Sequence, residues 1–239
     1  MFEEKNIIVY NKIRNERDTR IVILKEKVLK KSNHPLVISI EGGDGAGKST
    51  VIQSIAEYFD QKKIPYIITR EPGGVRISEK IRNIILDRDH LEMDARTEAL
   101  LFAAARRQHL VEKVIPALEE GKIVIMDRFV DSSLVYQGYV RGLGIDEVYQ
   151  INEFAIEGFL PDMTLYLDVT PEVGLNRINS NPDREVNKLD LEGLKFHQEV
   201  QKGYYKLMAL YPDRIIKIDA DLMIEEVVKA ALKQIEQRM

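Results

Sequence analysis

The sequence predicts an α/β fold, a five-stranded parallel sheet flanked by helices, formed by residues 36–239 after an extension of residues 1–35. Short apolar runs alternate with longer amphipathic stretches from residue 36 onward. This is the pattern of a parallel sheet with helices on both faces. A glycine-rich loop separates the first apolar run from the first amphipathic stretch. Most other polar motifs also follow apolar runs, where ligands bind in such sheets.

The elements follow in order along the chain. Five apolar runs predict strands, because they are short and rich in β-branched residues: 36–40, 66–69, 123–126, 164–169 and 215–218. The stretches between and after them predict helices: 48–59, 78–87, 98–120, 146–158, 171–178, 192–210 and 224–237. Gly121 ends the third of these helices directly before a strand.

The extension differs from the rest of the chain in charge. Its 35 residues hold nine lysines and arginines against five acids, whereas the whole chain has a net charge of −4. Apolar runs at 7–10 and 20–24 predict two strands, although 21–29 could equally form a helix. Two interpretations stay open: a packed extension, or a basic arm that contacts a partner or a second subunit.

The glycine-rich loop is the most informative motif. It consists of Glu41, Gly42, Gly43, Asp44, Gly45, Ala46, Gly47, Lys48, Ser49 and Thr50. The pattern G-x-x-x-x-G-K-S between a strand and a helix is that of a phosphate-binding loop. Its glycines and the helix N-terminus aim backbone N–H groups at one centre. We expect residues 42–50 to bind a nucleoside triphosphate, with Lys48 at the β- and γ-phosphates and Ser49 on Mg²⁺.

A second loop follows the second strand. Its residues are Arg70, Glu71, Pro72, Gly73 and Gly74. The proline fixes the turn, and the glycines allow a ligand to approach the backbone closely. The motif favours a phosphate-facing loop, with an ordinary turn and a surface ion pair as the alternative.

The long third helix carries Phe102 and Arg106 four residues apart, so both lie on one face. A flat ring beside a forked cation can stack on a base and donate to its carbonyl. The alternative is that Phe102 is a core residue and Arg106 a solvated one.

The third strand is followed by a segment rich in polar groups, residues 127–138. Asp127 and Arg128 come directly after the strand, at the sheet edge that carries the glycine-rich loop. Asp127 could hold the metal's water or the acceptor oxygen, and Arg128 could bridge donor and acceptor phosphates. Tyr136 and Gln137 add polar contacts. The alternative is an Asp–Arg ion pair without function.

Composition excludes several classes of protein. Cysteine is absent, which excludes disulfides, thiolate metal sites and a cysteine nucleophile, and fits a reducing compartment. The net charge of −4 gives no overall basic field, so we expect neither nucleic acid nor a membrane as a partner. No apolar run is long enough to span a bilayer and no signal-peptide core is visible, so a cytoplasmic location is expected.

Together these motifs resemble those of bacterial-type thymidylate kinases, enzymes that phosphorylate dTMP with ATP. Further matches lie at 141–144, 161–169 and 211–220. The matches follow the family's order and cover nearly everything after residue 35. The glycine-rich loop is shared by many families, whereas the Arg-Glu-Pro-Gly-Gly loop combined with segment 127–138 is much more specific.

The resemblance implies a P-loop NTPase fold, usually a homodimer, that uses ATP and Mg²⁺. It implies that Phe102 stacks on the thymine ring and that Arg106 bonds a thymine carbonyl. The other expected dTMP contacts are Arg70 and Arg128 at the phosphate, Ser133, Tyr136 and Gln137 in the base and sugar pocket, and Asp44 near the 3′ side of the sugar.

The lid of the family is difficult to align. Here the glycine-rich loop holds no arginine, so a cation must come from elsewhere, and in the related bacterial type it comes from a mobile lid. The segment near 177–196 would be that lid. Its cation could be Arg184 or Lys188, and we favour Arg184. The extension has no counterpart in the family that we can identify.

The expected reaction is transfer of the γ-phosphate of ATP to dTMP, which needs no covalent intermediate. Lys48, Arg128, Mg²⁺ and a lid cation would stabilise the transferred charge. The acceptor phosphate is already ionised, so Asp127 is expected to hold the metal or a water rather than to accept a proton. Two rival interpretations are a deoxynucleoside kinase with Glu71 as base and a nucleotide-dependent switch without transferase activity. A broader acceptor range, including dUMP or dGMP, is also compatible with the sequence.

Overall fold

The computed structural model describes residues 35–180 and 193–239. In these ranges five parallel strands form one sheet in the order β2-β3-β1-β4-β5. The strands are β1 (Val37–Gly42), β2 (Tyr66–Arg70), β3 (Ile123–Asp127), β4 (Met163–Asp168) and β5 (Ile215–Asp219). The predicted five-stranded α/β fold is confirmed. Most of the extension and both candidate lid cations, Arg184 and Lys188, lie outside the described residues.

Helices cover both faces of the sheet. They are α1 (Lys48–Lys62), α2 (Arg76–Leu86), α3 (Ala95–His109), α4 (Ile115–Glu119), α5 (Val130–Ser133), α6 (Ile145–Ile156), α7 (Pro171–Asn179), α8 (Leu194–Leu210) and α9 (Ile224–Arg238). A π-helical stretch, Leu110–Val114, joins α3 to α4, and a second one, Leu134–Val140, continues α5. Among the described residues, no helix is long and apolar enough to cross a membrane.

The sequence pattern did not predict the helix that follows β3. Residues 130–138 form α5 and most of the π-helical stretch after it, and all of them except Ser132 are buried. A helix buried all round lacks the apolar stripe by which amphipathic helices are recognised. Periodicity therefore could not identify it.

The core has two layers, one on each face of the sheet. Alternate residues of β1 point to opposite faces, as expected for a strand. Val37 packs with Leu110, Val114 and Leu207 on one face. On the other face Ile38 and Ile40 pack with α1 and α9, through residues such as Val51, Ile55, Phe59, Val227 and Ile235.

Strand register brings the predicted motifs to one edge. Arg70 at the end of β2 pairs with Asp127 of β3, and Asp127 pairs with Ile40 of β1. Both loops and segment 127–138 therefore begin side by side at the carboxyl ends of three adjacent strands. This is the edge where parallel α/β sheets bind ligands.

Candidate active site

A cavity of about 630 Å³ opens at the carboxyl edge of the sheet. Most of the predicted site residues line it: Asp44, Gly45, Gly47, Lys48, Ser49 and Thr50 of the glycine-rich loop, then Arg70, Phe102, Asp127, Arg128, Tyr136 and Gln137. Gly42, Gly43, Ala46, Arg106 and Ser133 are not among the lining residues. The size fits small-molecule sites, which range over about 300–1,000 Å³.

The glycine-rich loop has the backbone that a phosphate cradle requires. Gly45 and Gly47 have φ angles of 77° and 84°, a region that residues with a Cβ rarely enter. At Gly45 a Cβ would also come within 2.1 Å of the carbonyl oxygen of Gly174 in α7. The loop can therefore pack closely against α7 only with glycine at this position.

Lys48, the first residue of α1, folds back over this loop. Its Nζ donates to the carbonyl oxygens of Gly42 at 3.2 Å and Gly43 at 3.1 Å. Burial, followed by the positive charge of Arg128, lowers the pKa of Lys48 to about 8. A phosphate beside this amine would favour its charged form.

Asp127 and Ser49 fit a Mg²⁺ site. Within the part of the chain that the structure describes, Asp127 Oδ1 is a buried oxygen without a hydrogen-bond partner. Ser49 is exposed to the same cavity at the start of α1. The described residues contain no group of three or more His, Cys, Asp or Glu side chains that could hold a metal by themselves. Mg²⁺ often takes one or two carboxylates and completes its shell with phosphate oxygens and water, which suits this arrangement.

Arg128 is held in an uncommon conformation beside the glycine-rich loop. Its φ angle is 69°, in the left-handed region that disfavours residues other than glycine. Its Nη2 donates to Asp44 Oδ1 at 2.9 Å, and Nη1 donates to the Tyr136 hydroxyl at 3.4 Å. The guanidinium also lies over the Tyr136 ring, 5.3 Å from its centre. Four predicted residues from two segments of the chain, Asp44 and Lys48 of the glycine-rich loop and Arg128 and Tyr136 of segment 127–138, thus line the same cavity.

Helix α2 holds the second loop in place. Arg70 Nη2 lies 3.3 Å from Glu79 Oε2, and Glu79 Oε1 accepts the backbone N–H of Gly74 at 2.8 Å. Arg82, one turn further along α2, donates to the carbonyl oxygen of Pro72 at 3.0 Å. The loop is therefore braced by two side chains of one helix, and Arg70 remains about half exposed at the cavity.

Arg106 and Ser133 lie behind the cavity wall. Arg106 is 2% exposed, and its Nε donates to Glu71 Oε2 at 2.7 Å. Its Nη2 donates to Ser133 Oγ at 3.2 Å and to the Phe129 carbonyl at 3.1 Å, and its Nη1 donates to Asn152. These bonds take four of the five guanidinium hydrogens. A contact from Arg106 to a base would use the hydrogen that remains or displace one of these partners.

Glu71 connects the second loop to α3, because it contacts two residues of that helix. Besides Arg106 it contacts His109, with 2.9 Å between Glu71 Oε1 and His109 Nδ1. His109 Nε2 lies 2.7 Å from the Thr69 hydroxyl. Glu71 is 5% exposed, so both of its oxygens are engaged in a buried network.

Gln137 has a fixed orientation at the cavity. Its Nε2 donates to Glu98 Oε1 at 2.9 Å, and Glu98 is buried at the start of α3. Glu98, Phe102 and Arg106 follow at intervals of four along that helix, so they share a face. The face that the sequence predicted for base binding thus begins with a residue that orients Gln137.

Several cavity residues were not predicted as site residues. They are Glu71, Pro72, Arg82, Leu86, Ser132, Arg177 and Ile178. Arg177, near the end of α7, donates to the Ala220 carbonyl at 3.1 Å and approaches that of Gly45 at 3.5 Å. The available signals were weak: Arg82 lies one helical turn beyond the second loop, and Arg177 stands at the beginning of the predicted lid.

Comparison with known proteins points to one family. The family model described as thymidylate kinase matches residues 40–231. A thymidylate kinase of Clostridium novyi (strain NT) is 59% identical over 204 residues, which cover 84% of this chain and 100% of that protein. One of Oceanobacillus iheyensis is 61% identical over 192 residues, which cover 80% of this chain and 85% of that protein.

A solved structure has the same architecture. The crystal structure of a thymidylate kinase from Ehrlichia chaffeensis superposes with a TM-score of 0.66 at 30% identity. The aligned residues cover 84% of this chain and 98% of that protein. The match of the family model and the long alignments at more than half identity lead to one conclusion: the chain belongs to the thymidylate kinase family.

Proposed function

We propose that this chain transfers the γ-phosphate of ATP to dTMP and so forms ADP and dTDP for dTTP synthesis. The observation that carries the proposal is that one cavity is lined both by a phosphate-binding loop and by Phe102, Arg70 and Tyr136. Phosphoryl transfer requires donor and acceptor side by side in one water-poor site. The names of the relatives given above support dTMP as the acceptor.

On the donor side, residues 42–50 surround the phosphates of ATP. The backbone N–H groups of the loop and the N-terminus of α1 bind the phosphate oxygens, and Lys48 adds a full charge. Ser49 and Asp127 are the residues that would hold Mg²⁺. When bound, Mg²⁺ would neutralise charge on the phosphate oxygens.

On the acceptor side, Phe102 stacks on the thymine ring, and Arg70 and Arg128 bind the phosphate of dTMP. Asp44, which holds Arg128, faces the 3′ side of the sugar. Tyr136 and Gln137 complete the pocket. Arg106 and Ser133 act from behind the cavity wall, with Arg106 reaching a thymine carbonyl through the hydrogen that its buried partners leave.

Transfer proceeds in line and without a general base, because the acceptor phosphate is already ionised. Lys48 and Arg128 lie at the same edge of the cavity and stabilise the charge that passes between the phosphates. A lid cation, Arg184 or alternatively Lys188, completes the arrangement from the segment outside the described residues. Closure of that segment excludes water, which would otherwise hydrolyse ATP.

The chain works as a homodimer in the cytoplasm under this proposal. Phe154 on α6 is 90% exposed and Leu100 on α3 is 56% exposed, and α3 packs against α6. Large exposed apolar side chains on neighbouring helices are typical of a subunit interface. The absence of cysteine fits a reducing compartment.

A panel of acceptors tests the function. ADP release is measured with ATP and Mg²⁺ against dTMP, dUMP, dGMP, dCMP, AMP and thymidine. We expect strong turnover with dTMP and none with thymidine. Turnover with thymidine but not dTMP would instead support a nucleoside kinase. That rival needs Glu71 as a base, yet both Glu71 oxygens already bind Arg106 and His109.

A further inference from the structure

Glu41 is a buried acid that has no direct part in the proposed transfer. It lies in β1, is the first residue of the glycine-rich loop, and is 0% exposed. Its Oε1 accepts the backbone N–H of Phe129 at 2.7 Å and the Ser39 hydroxyl at 3.2 Å. Its Oε2 accepts the hydroxyls of Ser132 at 2.6 Å and Tyr204 at 2.8 Å. Four donors surround a carboxylate that burial alone would make costly.

The contact with Phe129 concerns the main chain of Arg128. The N–H of Arg128 donates to the Ile40 carbonyl at 3.0 Å and ends the ladder between β1 and β3. The left-handed φ of 69° then turns the chain, at a cost of roughly 1 kcal/mol or more for a residue with a side chain. The next backbone N–H, that of the buried Phe129, donates to Glu41 Oε1. This bond satisfies a buried donor that the turn would otherwise leave unpaired.

The contact with Ser132 concerns the other end of Arg128. Ser132 Oγ accepts Arg128 Nη1 at 3.2 Å while it donates to Glu41. A hydroxyl has one hydrogen, so giving it to the carboxylate turns the oxygen lone pairs toward the guanidinium. Glu41 thereby fixes the direction in which Ser132 accepts.

We propose that Glu41 is a positioning residue that holds Arg128 at both ends, the main chain through the Phe129 N–H and the guanidinium through Ser132. The inference rests on the proposed function, in which Arg128 binds the phosphate of dTMP. An arginine held in place before the substrate arrives loses less freedom on binding, so it binds more tightly.

Three variants test this role. Glu41→Gln keeps an oxygen for the Phe129 N–H but presents an amide NH₂ that cannot accept from Ser132. Ser132→Ala removes the same link from the other side. Ser39→Ala is the matched control, because it removes a donor to Glu41 that does not contact Arg128. Dissociation constants for dTMP and for ATP are measured by calorimetry.

The expected pattern is specific. Glu41→Gln and Ser132→Ala each weaken the binding of dTMP about tenfold, as the loss of one charge-assisted hydrogen bond implies. Each weakens the binding of ATP less than threefold. The double variant binds dTMP no more weakly than the weaker single variant, because both remove one link. Ser39→Ala stays within twofold of the unchanged protein. Additive losses would contradict the proposal, since they would mean that Ser132 acts on dTMP independently of Glu41.

A measurement without substrate separates this inference from the proposed function. The guanidinium N–H signals of Arg128 are followed by NMR in the ligand-free protein. We expect slow hydrogen exchange in the unchanged protein and in Ser39→Ala, and fast exchange in Ser132→Ala, which removes no core side chain. If the Arg128 guanidinium exchanges slowly but the protein binds no dTMP, the proposed function is rejected and the role of Glu41 is not. Unchanged Arg128 signals in Ser132→Ala would overturn the role of Glu41, even where Glu41→Gln fails to fold.

Discussion

Lys48 should make nucleotide binding depend on pH. Its pKa of about 8 in the free protein results from burial and from Arg128, and bound phosphates favour the charged amine. Above pH 8 the free protein has to take up a proton in order to bind ATP. We therefore expect ATP affinity, measured by calorimetry, to be constant below pH 7.5 and to fall up to tenfold per pH unit above pH 8.

Two variants test whether the Lys48 amine causes this pH dependence of ATP affinity. Lys48→Arg keeps its charge throughout this range, so its ATP affinity should show a flatter pH profile whatever its absolute value. Lys48→Ala should abolish phosphoryl transfer. An equally steep profile in Lys48→Arg would assign the pH dependence to another group.

The ring of Phe102 should contribute to the binding of dTMP and not to that of ATP. Its ring lines the cavity on α3, and stacking on a base contributes about 1–3 kcal/mol. Phe102→Ala should therefore raise the KM for dTMP about 5- to 150-fold and leave the KM for ATP within twofold. Gln108→Ala on the same helix, whose amide contacts Glu112 at the surface, serves as the control. Equal losses for both substrates would reject the assignment of Phe102 to the base pocket.

The sequence predicted which residues belong to the site, but it did not predict the partners that surround them. The spacing of Phe102 and Arg106 showed that they share a helix face, but not that Arg106 would be bound by Glu71 and Asn152. Partners that are distant in sequence have no signature in one chain alone. The role of Arg106 at a thymine carbonyl therefore stays a prediction.

Among the helices, α5 depends on a buried ion pair. Asp131 binds Arg214 through both oxygens, at 2.7 and 2.8 Å, and also accepts the Thr164 hydroxyl at 2.8 Å. The side chains are 0% and 8% exposed. The pair fastens α5, and with it the segment after Arg128, to the β4–β5 side of the sheet.

Removal of Asp131 should destabilise the fold. Asp131→Ala removes the carboxylate that binds the buried guanidinium of Arg214 through both oxygens, and breaking a buried ion pair in this way costs about 3–5 kcal/mol. The control Glu120→Ala removes an exposed partner of Lys122 and should cost less than about 1 kcal/mol. Urea unfolding measures both. A loss below 1 kcal/mol for Asp131→Ala would show that the pair does not hold α5.

The elements that the sequence predicted are those with a clear hydrophobic pattern. The five strands lie within two residues of the predicted runs, because parallel strands buried on both faces form short continuous apolar runs. By contrast, α5 and the π-helical stretch Leu134–Val140 are buried except for the partly exposed Ser132, Tyr139 and Val140, and they show no amphipathic stripe. Their position was marked only by the polar motif that they carry.

For the whole molecule, the exposed ring of Phe154 leads to a prediction about assembly. The chain has a mass of 27.5 kDa, and sedimentation should give twice that value for the proposed homodimer. Phe154→Asp places a charge in the interface and should shift the protein toward the monomer. Leu222→Asp, at another exposed apolar position before α9, should leave the mass unchanged. A monomeric unchanged protein would contradict the dimer.

The most direct test of the whole proposal is the product that the purified chain makes from ATP and dTMP. ADP and dTDP are quantified together by chromatography, with Lys48→Ala as the control for contaminating kinases. We expect equal amounts of ADP and dTDP from the unchanged protein and neither from Lys48→Ala. ADP without dTDP, or equal activity in Lys48→Ala, would contradict the transfer of phosphate to dTMP in this cavity.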